Sequence, residues 1–129
     1  MVFPYTLDHA RRVAIVTFSG TVRGHDIADT MDTLYRDPAW QYGFDTLWDG
    51  THVTELLFEK DDLPGFVALQ QRYVTVSGPG RDIVVAIRPI DQMIAQIYVA
   101  MSKKLIRQGY ACRSASEAWE ILRRARDYS

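Results

Sequence analysis

The chain reads as an α/β domain built on a mostly parallel sheet. Strand-like and helix-like segments alternate along nearly all of its 129 residues. The strand-like segments are short and apolar on both faces, as in Ile83-Val84-Val85-Ala86-Ile87, which is the pattern of strands covered above and below. The segments between them carry apolar residues at helical spacing. Right-handed crossovers through such helices make the strands they join parallel.

Taken in order, Tyr5 to Asp8 and Arg12 to Thr21 are expected strands, joined by the turn His9-Ala10-Arg11 and forming an antiparallel N-terminal edge. In the second, Val13 and Ile15 share one face and Ala14, Val16 and Phe18 the other, which suits an inner strand; Gly20 is expected to end it. Gly24-His25-Asp26 opens a helix with Ile27, Met31 and Leu34 at i, i+4 and i+7, and with Asp26, Asp29 and Asp32 on its wet side. Asp37-Pro38 stops that helix, and Phe44 begins a central strand. A second helix is expected from Lys60, capped by Asp61 or Asp62, with Pro64 in its first turn and Phe66, Leu69, Gln70, Tyr73 and Val76 along one stripe. Ser77-Gly78-Pro79-Gly80 breaks the chain before the strand Arg81 to Arg88. Asp91 to Gln108 is expected as the longest helix, buried through Met93, Ile97, Met101 and Leu105 with Ile94, Tyr98 and Ile106 widening the stripe, and with Lys103, Lys104 and Arg107 serving its C-terminal dipole. Tyr110 to Arg113 is a short edge strand. Ser114-Ala115-Ser116-Glu117 is a capping box for a last helix that packs Ala118, Ile121, Leu122 and Ala125. The expected order is ββαβαβαβα, in one domain spanning 1–129.

Composition narrows the function classes. A charged fraction of 24% and a net charge of -1 give no general attraction to nucleic acid or membrane. No apolar run reaches the roughly 20 residues of a membrane span, and MVFPYTLDHARR lacks the order of a signal peptide. A cytoplasmic protein is expected, and Cys112, the single cysteine, agrees with a reducing compartment. Residues 1–64 hold 5 Lys/Arg against 11 Asp/Glu and residues 65–129 hold 10 against 5. These complementary halves, with an edge strand open to pairing, are compatible with a homodimer.

Function is expected at Phe44 to Leu57, FDTLWDGTHVTELL. Open parallel sheets bind ligands at the carboxyl ends of their strands, and this apolar run leads into Asp49-Gly50-Thr51-His52, which reads as a strand-end loop. Asp49, Thr51, His52 and Glu55 supply two carboxylates, an imidazole and a hydroxyl, the groups used in general acid-base chemistry. The ordinary role of Asp-Gly-Thr after a strand is a turn in which Asp accepts backbone N–H groups, and that role is favoured. One strand on, Arg88-Pro89-Ile90-Asp91-Gln92 opens the long helix. Arg88 is placed there either to hold an anion or acidic partner, or to pair with Asp91 or Asp49. The aromatics Trp40, Tyr42, Trp48, Phe58 and Phe66 flank the same region as pocket or partner-surface candidates.

Other chemistries lack their signatures. There is no G-x-S-x-G elbow, Cys112 reads as a core residue, and the glycine-rich 77–81 stretch precedes a strand where a phosphate loop would follow one. His9, His25 and His52 fall in three separate loops without ligand spacing, so neither metal nor cofactor is expected. Lys103, Lys104, Arg107, Arg123, Arg124 and Arg126 form a basic patch without the interleaved aromatics of a nucleic-acid surface.

The order of elements, with RVAIVTFSGTV, FDTLWDGTHVT, DIVVAI and a closing short strand before SASEAWEIL, resembles the SpoIIAA-like superfamily shared by STAS and Sec14-type domains. The resemblance covers about residues 5–125 and is nearest to small stand-alone bacterial members that end in a strand and an EA-W helix, here Glu117-Ala118-Trp119. It implies a non-enzymatic regulatory or interaction module. In the anti-sigma-factor antagonists of that superfamily, a serine in an Asp-Ser-Ser/Thr-Gly turn before a helix is phosphorylated. The corresponding stretch here, Leu57-Phe58-Glu59-Lys60-Asp61, has no hydroxyl, while Glu59 and Asp61 bring fixed negative charge. The expected occupant is a protein partner or a small apolar ligand over Asp49 to Glu59 and the helix beyond. A lipid or small-molecule carrier is the alternative, and an enzyme using Asp49, His52 and Glu55 is third.

Overall fold

A computed structural model describes residues 1–124 of the chain. Its elements are β1 (Tyr5–Asp8), β2 (Val13–Arg23), α1 (Gly24–Arg36), β3 (Asp45–Leu57), α2 (Asp62–Arg72), α3 (Val74–Ser77), β4 (Arg81–Val85), α4 (Pro89–Met101), β5 (Gln108–Cys112) and α5 (Ala115–Arg123). The sheet order is β1-β2-β3-β4-β5, with β1 antiparallel to β2 and the other pairs parallel. The expected α/β class and the antiparallel N-terminal edge are both present.

Sequential strand order places the helices. Each crossover from β2 to β5 steps the same way across the sheet, so right-handed connections put α1, α2 and α4 on one face. Ala14, Val16, Phe18 and Trp48 point into the core on that face, against Met31, Leu34 and Tyr35 of α1 and Phe66 of α2. The other face carries Val13, Leu47, Ile83, Val85 and Cys112 and is covered by α5 through Ala118 and Ile121. Alternation along each strand therefore feeds two cores.

Each core holds one buried ion pair. On the α5 face, Arg81 donates to Asp45 at 2.8 Å and also to the carbonyls of Ile121, Leu122 and Arg124, which ties the end of α5 to β4. On the opposite face, Arg107 donates to Asp82 at 2.8 Å and to the carbonyls of Phe44 and Gly78, while Trp48 Nε1 donates to Asp82 from the other side. Arg107 is 4% exposed and so belongs to no basic patch and serves no helix dipole. Arg126 of that expected patch, and Ala125 of the expected last helix, lie outside the described residues.

Several boundaries differ from expectation. Gly20 does not end β2; it sits at φ +68 beside a register shift, and the strand runs on to Arg23. Asp26 is buried, with Oδ2 accepting from the Arg23 backbone N–H at the start of α1. The second helix breaks at Tyr73 into α2 and the single turn α3, at the β-branched Val74-Thr75-Val76 run. β4 stops at Val85. α4 ends at Met101, and 102–107 turn back so that Arg107 can enter the core.

The orientation of α4 is the largest correction. Met93, Ile97 and Met101 lie at the surface, with Met93 53% and Ile97 46% exposed. The inward line is Asp91, Ala95, Tyr98 and Ser102. Small residues allow this: a Cβ added at Gly109 of β5 would come within 3.4 Å of both Ser102 Oγ and a Val99 methyl, so α4 sits close against β5. Where α4 meets β5 at Gly109 it presents the short side chains of Val99 and Ser102, while Tyr98 reaches the core further along the sheet.

Candidate functional site

The stretch read as a strand-end loop is strand. β3 continues through Asp49-Gly50-Thr51-His52 to Leu57 because β2 offers a partner along that whole length, from Ser19 opposite His52 to Arg23 opposite Leu57. The pairing Thr17–Asp49 is followed by Ser19–His52, and Gly20–Val53 by Thr21–Glu55, so β3 carries the extra residues at two bulges. Gly50 is required at the first. A Cβ there would lie 2.5 Å from the Val85 carbonyl oxygen, where β4 ends against the bulge.

Within the bulge, Asp49 Oδ1 accepts from the Thr51 backbone N–H at 3.0 Å and from the Thr51 hydroxyl. This is the turn-stabilising role that Asp-Gly-Thr ordinarily has. His52 and Glu55 are exposed, and neither shows a hydrogen bond or ion pair to Asp49. Extended backbone rises about 3.3 Å per residue, which spreads Asp49 and Glu55 over more than ~15 Å. The geometry does not gather an acid-base constellation. Among the described residues, no group of three or more His, Cys, Asp or Glu is placed to hold a metal ion.

The true turn after β3 is Phe58–Asp61. Phe58 is half-buried, its ring edge-on to Phe66 at 5.5 Å between centroids. Glu59, Lys60 and Asp61 are exposed. Asp62 Oδ2 accepts from the Glu59 backbone N–H at 2.6 Å, which closes the turn, and Gly24 packs so tightly on that carboxylate that a Cβ there would lie 2.2 Å from it. The chain thus enters α2 without a side-chain hydroxyl between Leu57 and Asp62.

Arg88 and Asp91 do come to this region. Arg88 Nη1 donates to the Thr54 carbonyl of β3, and Arg88 Nε lies 3.7 Å from Asp91 Oδ2. The expected pairing of Arg88 with Asp91 is present. Asp91 is 5% exposed, and its Oδ1 has no hydrogen-bond partner. Burial pushes its carboxyl above the ordinary range, with the Arg88 charge opposing. Phe58 and Leu63 on one side and Asp91 and Ile94 on the other border a common cavity, so the β3–α2 turn and the first half of α4 are neighbours.

Of the aromatics expected at a pocket, Trp48, Phe58 and Phe66 line this cavity and Trp40 and Tyr42 do not; sequence reasoning missed two features, the exposed line along α4 and the two buried Asp–Arg pairs. The pairs had a signal. Asp45 and Asp82 open two apolar central strands, and a buried carboxylate demands a cationic or donor partner.

Fold and site together define a small α/β module of the SpoIIAA-like fold. The structure is similar to that of the anti-sigma factor antagonist SpoIIAA in its unphosphorylated form, with a TM-score of 0.57 and 15% identity over 95% of this chain and 99% of that one. It is also similar to a Thermotoga maritima protein provisionally assigned as an anti-sigma factor antagonist, with a TM-score of 0.60 and 14% identity over 95% of both chains. At such identities the likeness concerns the fold. No protein-family model and no curated protein matches the sequence. Among the described residues, no helix is long and apolar enough to cross a membrane.

Proposed function

We propose that the chain is a non-enzymatic regulatory module that acts by binding a protein partner, and that it works without the phosphorylatable serine of the anti-sigma factor antagonists. The observation that carries this reading is the exposed line Ile90, Met93, Ile97 and Met101 on α4, extended by Ile87 before the helix and Ile106 after it. At 3.6 residues per turn these four helical positions share one side of α4, away from the inward line of Asp91, Ala95, Tyr98 and Ser102. Contiguous apolar surface of this kind marks protein contact sites, and methionines suit it because they repack against varied partners. The neighbouring Phe58–Asp61 turn adds fixed carboxylates at Glu59 and Asp61, a charge that needs no kinase. The shared fold of proteins named as anti-sigma factor antagonists supports a regulatory role.

The lipid-carrier alternative has less support. The apolar cavity behind α4, open on one side, is about 100 Å³, the scale of a single ring and short of an acyl chain. The acid-base alternative loses its constellation to the extended course of β3.

The test is a photoreactive amino acid placed at position 97, compared with one at Glu120 on the exposed side of α5, in cells of the source organism. A discrete protein adduct at 97 that disappears with Met93→Lys is expected. Equal adduct patterns at 97 and 120, or none at 97, would reject the reading. An adduct of twice the chain's mass would identify a second copy as the partner.

A further inference from the structure

The inner side of α4 closes a cavity against the sheet. Its walls are apolar and largely aromatic, with Phe18 and Trp48 from the strands, Phe58 and Phe66 from the turn and α2, and Ile94 and Ala95 from α4. Two of the polar groups on its border, Trp48 Nε1 and Gln70 Oε1, are committed elsewhere. Trp48 Nε1 donates to Asp82 at 3.2 Å, and Gln70 Oε1 accepts from the Tyr35 hydroxyl at 3.0 Å. Asp91 is different: it lines the cavity while buried to all but 5%, its Oδ2 faces Arg88, and its Oδ1 is unpartnered.

An ionised carboxylate accepts hydrogen bonds and donates none. Its free oxygen beside an apolar space therefore matches a ligand with a donor head and an apolar body. We infer that the cavity is a binding site for a small arylalkyl or alkyl amine, its ammonium group donating to Asp91 Oδ1 and its ring-sized body filling the space between Trp48, Phe66 and Ala95. The size follows from the volume of about 100 Å³, since apolar cavities of roughly this order admit a benzene ring. A cation is favoured over a neutral donor because charge-assisted hydrogen bonds are about twice as strong and because aromatic faces attract ammonium groups. The site goes beyond the docking line: it lies on the opposite side of the same helix and stands or falls independently of a protein partner.

Three probes with one ring separate the contributions: benzylamine, benzyl alcohol and toluene, each titrated into the purified chain and followed by amide NMR shifts and by the indole N–H signal of Trp48. Saturable benzylamine binding at least about tenfold tighter than either neutral probe is expected. Asp91→Asn should remove that preference while leaving toluene binding in place, and Ala95→Leu, which fills the space without touching the carboxylate, should abolish binding of all three. Parity between benzylamine and a neutral probe in the native chain would overturn the inference. So would benzylamine binding that survives Ala95→Leu, a readout that holds even if Asp91→Asn fails to fold.

Discussion

Replacing Ile97 with lysine distinguishes the observed orientation of α4 from the one its sequence suggests. Ile97 is 46% exposed. Complete burial of an isoleucine is worth ~1.5–3 kcal/mol, so contacts at this position contribute about half of that, roughly 1 kcal/mol. Lysine recovers a few tenths through its better helix propensity and can lay its methylenes along the same surface. The net loss for Ile97→Lys should stay below ~1 kcal/mol. Leu34, fully buried in the core between α1 and the sheet, provides the scale, since Leu34→Ala should cost about 2–5 kcal/mol. Urea denaturation followed by far-UV circular dichroism measures both, with an unchanged slope showing that the midpoints report stability. If Met93, Ile97 and Met101 faced the core, Ile97→Lys would bury an ammonium group and cost more than ~3 kcal/mol. A loss of that size would refute the orientation and, with it, the exposed line on which the functional reading depends.

Three further outcomes follow from the interior. Arg107→Met should cost about 3–5 kcal/mol in urea denaturation, because it leaves Asp82 charged and buried with Trp48 as its remaining donor, and Asp82→Leu in the same chain should restore much of the loss; a single variant within about 1 kcal/mol of the parent would contradict the pairing. Burial holds the Asp91 carboxyl above its ordinary 3.8, so the native state binds this proton more readily than the unfolded chain does. Stability from this position then declines as pH rises from about the unfolded value through the raised folded one, and is level above it. Asp91→Asn should accordingly compare best with the parent near pH 7 and lose that advantage on acidification toward about pH 4, and an advantage that grows on acidification would be evidence against the buried charge. Cys112 is held up at about 11, chiefly by burial and by Glu117 nearby, so a thiol reagent at neutral pH should modify the native chain far more slowly than the urea-unfolded one. Equal rates would mean the β5 thiol is open to solvent.

How far the sequence could be read depended on the range over which each signal acts. Ile27, Met31 and Leu34 placed α1 correctly because an amphipathic repeat is local, and Asp37-Pro38 and Gly78-Pro79-Gly80 end their elements by backbone chemistry alone. β4 was legible through Ile83-Val84-Val85 but overextended, since Ala86 and Ile87 continue the apolar run and the strand ends where the bulged β3 meets it at Gly50. The length of β3 was not legible. Asp-Gly-Thr signals a turn wherever it occurs, and only an unusually long β2 alongside converts it to a bulge. α4 misled for a different reason: two lines of residues run at helical spacing, and hydrophobicity selects the line with methionine and isoleucine, whereas packing against the sheet, with Val99 and Ser102 on Gly109, selects the line with Ala95, Tyr98 and Ser102. The partner of Asp82, twenty-five positions away at Arg107, is a property of the assembled sheet.

For the candidate site, the residue types suggested a cluster where the structure shows two separate groups. Arg88, Asp91 and Phe58 do meet near the β3–α2 turn, while Asp49, Thr51, His52 and Glu55 are strung along β3. Glu59 remains an exposed charge at that turn, and its lack of a neighbouring hydroxyl was visible from the residues alone. The exposed α4 line needed the packing of the whole sheet to be seen.

The most direct measurement is amide hydrogen exchange on the chain with and without the protein captured through position 97. Added protection across 89–101 and 58–61, with 115–123 unchanged, is the predicted footprint. Protection confined to α5 or to the β1 edge, leaving α4 exchanging as in the free chain, would contradict a regulatory module that docks through Met93, Ile97 and Met101.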